Sequence, residues 1–181
     1  MKPPVIQTNR LTLAPVTMED APSIQKHFDN WNIIKHIGSA VPWPYPDDGA
    51  TYYLETILKD AETKEIYLWG IWINDGPNEL VGLIEYRFTK DKDDNRGFWL
   101  AEPFWGKGLM SEAVAATQDF VFFDLKKERL VVKSAGSNIG SKRVKQKNGA
   151  VQVGTAKGSY HTGETTENIW EITRKNGIKY R

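Results

Sequence analysis

Two glycines flank a lysine where the sequence changes from strand-like to helix-like spacing. Gly106 to Gly108 follow an alternating segment, Phe98 to Ala101, and precede an amphipathic run that begins at Leu109. Glycines permit a tight bend and let a ligand approach main-chain N–H groups without meeting a Cβ. The first N–H groups of a helix lack internal partners, and the helix dipole adds partial positive charge there. This arrangement suits a phosphate or pyrophosphate, although an ordinary strand-to-helix loop is the commoner origin of so short a motif.

Two widespread phosphate-binding loops do not match these residues. The pattern Gly-x-x-x-x-Gly-Lys-Ser/Thr requires a hydroxyl residue after the lysine, whereas Lys107 is followed by Gly108. The dinucleotide pattern Gly-x-Gly-x-x-Gly requires a third glycine, and Met110 and Ser111 stand there instead. The loop therefore needs a different explanation.

The elements that must position this loop follow from hydrophobic spacing. Alternation predicts strands over residues 10–16, 66–73, 80–88, 96–101, 129–132, 151–153 and 168–173. Helical spacing and capping signals predict helices after Thr17, over 31–37, from Asp48 through Leu58, over 109–123 and over 138–147. The turns between the three central strands are short, so these strands should be antiparallel neighbours. The order of elements indicates a mixed-sheet α+β domain.

The loop and its flanking residues resemble the acetyl-CoA loop of the GNAT N-acetyltransferases. The similar residues are Gly97 to Leu100, then Phe104 to Gly108, and then Glu112 with Ala113. The opening segment, Thr8 to Leu13, is similar to the first strand of that family. The resemblance covers essentially the whole chain.

A second block, Asn138 to Val144, agrees at the right distance. With Lys147 and Gly149 it resembles the Asn-x-x-Ser-x-Arg-Val helix of the RimJ/RimL-like branch, which acetylates ribosomal-protein N-termini. The chain departs from that branch at Ala150, where phenylalanine is usual, and at Asn95 with Arg96, where Glu-Ile is frequent. The second departure removes a carboxylate that would otherwise be a candidate base.

The resemblance implies a mixed, mostly antiparallel sheet flanked by helices, in which two splayed strands form the acetyl-CoA cleft. Leu100 and Ala101 would offer free main-chain groups to the pantetheine amides. N–H groups would surround the pyrophosphate from six residues: Trp105, Gly106, Lys107, Gly108, Leu109 and Met110. Main-chain dipoles would handle the phosphate charge without a metal.

Three side chains are candidates for catalysis. Asn138 would lie near the pantetheine arm, or cap its own helix, or both. Ser141 would donate to the leaving sulfur, whereas without the resemblance it is an exposed helix serine. Glu85 shares a strand face with apolar residues, where a raised pKa would let it accept a proton through water. A cross-strand ion pair of Glu85 with Arg87 or Arg96 is the commoner arrangement.

Composition limits the remaining possibilities. The chain has 181 residues, 40% of them hydrophobic, with no cysteine and a formal net charge of +1. We expect a single domain over residues 1–181 with its core over about 8–175. The lack of cysteine excludes a disulfide scaffold and a thiolate zinc site. The chain has three histidines, and they are too far apart in sequence to indicate a metal site: His27, His36 and His161. Without a membrane-length apolar run or a signal-like start, we expect a cytoplasmic protein that contacts no membrane.

The first hypothesis is transfer of an acetyl group from the cosubstrate acetyl-CoA to a primary amine, such as the N-terminal amine of a ribosomal protein. The amine would attack directly in a ternary complex, and the enzyme would be a monomer or a homodimer. A small-molecule acceptor, such as an amino acid or an antibiotic, and a non-catalytic CoA-binding regulatory module are the alternatives. The net charge of +1 counts against a nucleic-acid-binding module. The basic run from Lys142 to Lys147 is explained by a solvated helix face, with a contact to the coenzyme 3′-phosphate as the alternative.

Overall fold

Alternating apolar residues build two antiparallel sheets in the computed structural model, which describes residues 2–90 and 93–179. Eight strands are present in these ranges: β1 (Ile6–Gln7), β2 (Leu11–Pro15), β3 (Ile66–Ile73), β4 (Gly82–Arg87), β5 (Arg96–Leu100), β6 (Arg129–Ala135), β7 (Val151–Lys157) and β8 (Thr166–Thr173). The first sheet has the order β1-β2-β3-β4-β5, and the second has the order β6-β8-β7. All pairings within them are antiparallel, which confirms the prediction made for the three central strands β3, β4 and β5.

Helices cover the sheets. They are α1 (Ala21–Phe28), α2 (Trp31–Ile34), α3 (Gly49–Thr63), α4 (Leu109–Asp119), α5 (Ile139–Lys147) and α6 (Arg174–Lys179). Short 3₁₀ turns occupy Met18–Asp20 and Glu102–Phe104, and the π-helical segment Phe120–Asp124 prolongs α4. Of the described helices, none is long and apolar enough to cross a membrane.

Two apolar clusters lie on opposite faces of the first sheet. Trp69, Ile84 and Val114 belong to the cluster on the α4 face, which also takes in residues of the second sheet. Leu54 and Leu83 belong to the cluster that packs α1 and α3 on the other face. The central strands β3 and β4 are therefore buried on both sides and give the neighbouring strand β5 a rigid support.

The sequence predictions fail mainly at short or irregular elements. Strand β1 and helix α6 were not predicted because two and six residues carry too little periodicity to recognise. The second helix ends at Ile34 rather than at residue 37, and an isolated bridge pairs Gly38 with Tyr160 just beyond it. Strands β6 and β7 extend past their predicted ends because their partner β8 continues the ladder.

The two sheets meet at the start of β5 and separate along it. The Asn95 N–H donates to the Val131 carbonyl oxygen at 2.8 Å, and the Val131 N–H donates to Asn95 Oδ1 at 2.8 Å. The Lys133 N–H donates to Asp94 Oδ1 at 3.2 Å. Among the described residues no ladder joins β5 to β6 past this point, so a cleft opens between the sheets.

Replacing the Asn95 side chain should weaken this junction. In Asn95→Ala the Val131 N–H loses its acceptor, so we expect the free energy of unfolding to fall by about 1–3 kcal/mol. Urea denaturation measures this loss. The control is Asn74→Ala, which removes one exposed bond from Thr12 and should cost less than about 0.5 kcal/mol. Equal losses in the two variants would show that Asn95 does not hold the sheets together.

Candidate active site

The loop after β5 presents its main-chain N–H groups to the cleft. Gly106 and Gly108 have φ values of 75° and 77°, in the left-handed region that favours glycine. Gly108 caps α4 with no side chain, and a Cβ added at Gly106 would meet nothing within 4 Å. Among the described residues, the N–H groups from Gly106 to Met110 find no protein acceptor. These amides and the start of α4 together have the geometry that an anion site requires.

Contacts from the N-terminal segment hold this loop on the side away from the cleft. Arg10 Nη1 donates to the Lys107 carbonyl oxygen at 2.9 Å, and Arg10 Nε lies 2.7 Å from Glu112 Oε2. Thr8 Oγ1 donates to Glu112 Oε1 at 2.7 Å. Burial acts to raise the pKa of Glu112, but the bonds from Thr8 and Arg10 outweigh it and hold that pKa below its ordinary value. The Lys107 carbonyl oxygen is thereby turned toward Arg10, and the N–H groups of the loop point the other way, where a ligand could reach them.

Two of the groups expected to bind the coenzyme are engaged within the protein. The Trp105 N–H donates to the Glu102 carbonyl oxygen at 3.1 Å, because Glu102–Phe104 form a 3₁₀ turn. The Lys107 side chain lies over the Phe104 ring at 5.5 Å instead of lining the cleft. Among the described residues, the run of N–H groups without an acceptor therefore begins at Gly106, one residue later than expected, and it includes the Lys107 main chain.

The end of β5 turns main-chain groups toward the cleft. The Ala101 N–H donates to the Val81 carbonyl oxygen at 2.8 Å, so it is not free as the resemblance implied. Because bonded residues alternate along an antiparallel pair, Leu100 turns its main-chain groups to the opposite edge. Its carbonyl oxygen accepts the Trp105 indole N–H at 2.6 Å. The Leu100 N–H is thereby left facing the cleft.

The cleft between β5, α4 and α5 has a volume of about 500 Å³. Phe98 to Leu100 form one wall, and Gly106 and Gly108 line it beside the anion site. Asn138 and Ser141, at the start of α5, form the facing wall. The structure thus brings the two sequence blocks together across a single cavity.

Asn138 caps its own helix while it lines the cleft. Its Oδ1 accepts the Ser141 N–H at 2.9 Å, which is the capping role expected for an asparagine at this position. The Ser141 hydroxyl is buried in the cleft wall rather than exposed, and its Oγ accepts a bond from Lys145 Nζ at 2.6 Å. Both residues therefore line the cleft, as the resemblance implies.

Lys145 departs from the solvated helix face that the basic run predicts. Its side chain is 2% exposed, and Nζ lies 5.3 Å from the centre of the Phe98 ring. Burial and, to a smaller extent, the Arg96 charge lower the pKa of Lys145 to about 7 against the opposing effect of Asp94. Arg143 and Lys147 line the cleft, whereas Lys142 does not.

Glu85 lies on β4 but outside the cleft. Its side chain faces α3, where the Tyr53 hydroxyl donates to Glu85 Oε2 at 3.1 Å and Arg87 Nε lies 3.0 Å from Oε1. Desolvation and the neighbouring carboxylate raise the pKa of Tyr53 well above its ordinary value, so the hydroxyl remains a donor. These three residues line a separate cavity of about 230 Å³. Glu85 therefore forms the ion pair with Arg87, as the commoner arrangement predicted, and does not lie where a catalytic base would be needed.

His36 lines the cleft at the α2 end, beside Ile33 and Ile37. Burial and the charge of Lys35 lower its pKa against the opposing effect of Glu164, so the imidazole is neutral at neutral pH. Among the described residues that line the cleft there is no carboxylate. In the sequence, His36 precedes the proline-rich aromatic segment from Val41 to Pro46, and this position is the signal that points to a contact with substrate. The described residues also bring together no cluster of three or more His, Asp or Glu that could hold a metal.

Comparison with known proteins identifies the class of this fold and site. Residues 10–151 match the family model described as the acetyltransferase (GNAT) domain. This match covers most of the chain, which therefore belongs to the GNAT acetyltransferase family.

Individual relatives agree with this family. A probable N-acetyltransferase of Bacillus subtilis (strain 168), YjcK, is 31% identical over 110 residues, which span 59% of this chain and 58% of that protein. Mycobacterium smegmatis RimJ, solved with a CoA disulfide, has a TM-score of 0.78 at 19% identity over 91% of this chain and 82% of that one. RimL, a ribosomal L7/L12 α-N-protein acetyltransferase solved with coenzyme A, has a TM-score of 0.78 at 18% identity over 93% and 97%. The microcin C7 self-immunity acetyltransferase MccE, solved with acetyl-CoA and AMP, has a TM-score of 0.76 at 16% identity over 92% and 93%.

A carboxylate at Gly106 should block the anion site. Gly106→Asp places negative charge beside the free amides, so we expect affinity for coenzyme A to fall by at least about tenfold. Gly163→Asp is the matched control because Gly163 has a φ of 80° and equally open surroundings, outside the cleft. Calorimetric titration should show normal affinity in the control and similar thermal stability in both variants. Equal affinity in the two variants would remove the anion site from this loop.

Burial of Lys145 should make stability depend on pH. The folded-state pKa is about 7, below the unfolded value, so the unfolded chain binds more protons between pH 7 and about 10. The free energy of unfolding should therefore rise over this range in the wild type relative to Lys145→Met. Urea titrations at several pH values measure the difference, and Lys142→Met should differ from the wild type by a constant amount. A constant difference for Lys145→Met would mean that Lys145 titrates normally.

Proposed function

We propose that this protein transfers the acetyl group of acetyl-CoA to an α-amino group, by direct attack of the amine on the thioester. The observation that carries the proposal is the cleft itself, where unpaired loop amides, the Leu100 N–H and the Ser141 hydroxyl line one cavity. Holding both reactants in such a cavity lowers the activation free energy by about 7–11 kcal/mol through proximity. Positioning is therefore the main catalytic effect.

The loop amides from Gly106 to Met110 would bind the diphosphate of the coenzyme. Two observations support this assignment. The space beside Gly106 is free, and α4 begins directly after the loop, so its positive dipole end lies beside the amides. Arg143 and Lys147 line the same cleft and add positive charge for a phosphate. From there the pantetheine arm would run between β5 and α5 toward Leu100.

The Leu100 N–H would bind the thioester carbonyl and stabilise the oxyanion that forms on attack. One such donor contributes about 3 kcal/mol in enzymes of acyl transfer. The β4 partner holds Leu100 in a ladder, and the Trp105 indole fixes its carbonyl. The donor is thus positioned before the substrate arrives, and no reorganisation is needed during the reaction.

The acceptor class follows from what the cleft wall lacks. No carboxylate occurs among the described residues that line this wall, so a cationic amine gains no ion pair from them, and the neutral His36 imidazole is able to accept its proton. An α-amine has a pKa of about 7.7–8.0 against about 10.4 for a lysine side chain, so it loses its proton far more readily. An α-amine, such as that of a protein N-terminus, is therefore the acceptor that this site favours.

Acetylation assays separate the possible acceptors. At pH 7.5 a lysine-free peptide with a free N-terminus should react at least about tenfold faster than an N-blocked peptide with one lysine. Release of free coenzyme A thiol and mass spectrometry measure the products. His36→Gln should remove the rise in rate with pH below about 6.5, whereas His27→Gln, whose imidazole pairs with Glu79 outside the cleft, should keep it.

The other outcomes identify the competing functions. Transfer to free amino acids or antibiotics but not to peptides would indicate a small-molecule enzyme. Coenzyme binding without transfer to any acceptor would indicate a regulatory module. An unchanged pH profile in His36→Gln would exclude His36 as the base.

A further inference from the structure

We propose that Lys145 is a positioning residue that holds the Ser141 hydroxyl as the proton donor to the departing coenzyme A thiolate and then restores its proton. This inference rests on the proposed acetyl transfer and assigns a role to a side chain that does not touch the substrate. Its evidence is the contact between two residues of α5 and the charges that surround them.

The contact sets the direction of the Ser141 hydroxyl. Lys145 Nζ lies 2.6 Å from Ser141 Oγ, and the two residues share a helix face because they are four positions apart. An ammonium group has only donors, so Ser141 Oγ is the acceptor in this bond. The Ser141 O–H is then free to donate to another group, and Ser141 lines the cleft.

The burial of Lys145 lacks an evident structural reason. Its ammonium donates to Ser141 Oγ and, of the hydrogen bonds found for the described residues, makes no other. Burying a charge is costly, and an apolar side chain of similar volume is often neutral or stabilising at such a position. A lysine retained here at a cost in stability is best explained by a task in the reaction.

The charges around Lys145 favour negative charge on the sulfur. Arg96 and Asp94 are the charged groups that act on it, and both come from the start of β5. Arg96 is also buried, and its Nη1 donates to Gln118 Oε1 at 3.1 Å. Two cations therefore face one carboxylate behind the cleft wall, where a thiolate gains from the excess positive charge.

The proton transfers balance in one turnover. The neutral amine attacks the acetyl carbon, the new C–N bond forms, and the C–S bond breaks. The thiolate takes the proton of the Ser141 hydroxyl as Ser141 Oγ takes one from the Lys145 ammonium. Lys145 leaves the step neutral and regains a proton from water, while the amine nitrogen loses one to water or to its base. The pKa of about 7 matches this cycling between two forms near neutral pH.

A double-mutant cycle tests whether Lys145 acts through Ser141. Ser141→Ala and Lys145→Met should each lower kcat by about tenfold or more, with the KM for acetyl-CoA within about twofold of the wild type. The double variant should lose no more than the worse single variant, because both changes remove the same transfer. Lys142→Met, on the same helix and outside the cleft wall, is the matched control and should keep its kcat.

Two further measurements exclude a purely structural role. The wild-type kcat should fall as pH rises above about 7, where Lys145 loses its proton, and Lys145→Met should lack this fall. In the protein without substrate, the ¹³Cε resonance that disappears in Lys145→Met should titrate with a midpoint near 7. Melting curves show whether each variant is folded.

Each contrary result has a distinct meaning. Multiplicative losses in the double variant, a loss confined to KM, or a lysine midpoint near 10 would overturn the role of Lys145. An active wild type with an equally active Lys145→Met would overturn that role and leave the proposed acetyl transfer standing. A wild type that binds coenzyme A and acetylates no amine would overturn both.

Discussion

The site depends on the main-chain N–H groups from Gly106 to Met110, which have no acceptor in the part of the chain that the structure describes. Such groups are costly when buried, so their exposure at the loop after β5 requires a backbone that cannot relax toward internal partners. Gly106 and Gly108 supply the left-handed conformations, and Arg10 with Glu112 fixes the Lys107 carbonyl on the far side. The amides are thus preorganised for an anion. This reduces the ordering that binding would otherwise require.

The cleft exists because the two sheets stop pairing at a defined place. Asn95 replaces a continuing ladder with its own side chain, and beyond it β5 runs with one edge bare. That bare edge supplies the Leu100 N–H. The same separation lets α5 reach the cleft wall with Ser141, so one break in strand pairing creates both the space and the groups that line it.

The sequence predicts correctly those features that a local residue pattern determines, such as a turn, a helix or a cap. It does not predict which partner a strand edge takes or how deeply a side chain is buried. The glycine loop, α4 and the Asn138 cap follow from local rules, and the structure contains all three. Alternation placed Glu85 on the correct strand face, but only the packing of α3 shows that this face belongs to a separate cavity. The Ala101 N–H was misjudged because sequence alone does not reveal its bond to Val81.

Lys145 shows the limit of charge patterns. A run of basic residues on a helix usually marks a solvated face, and most of this run conforms to that rule. The four-residue spacing from Ser141 was the available signal, since it places Lys145 on the inner face with the serine. Its recognition required knowing that Phe98 and Arg96 close over that face.

The Arg10 contacts also bear on how the domain assembles. They join residues about one hundred positions apart. The glycine loop therefore acquires its final shape only after the hairpin of β1 and β2 has packed against α4. During synthesis Arg10 leaves the ribosome about one hundred residues before Glu112, so the clamp closes only once α4 has formed. The facing wall of the cleft lies on α5, further along the chain, so a folding chain needs every element from β2 to α5 before the cleft is complete.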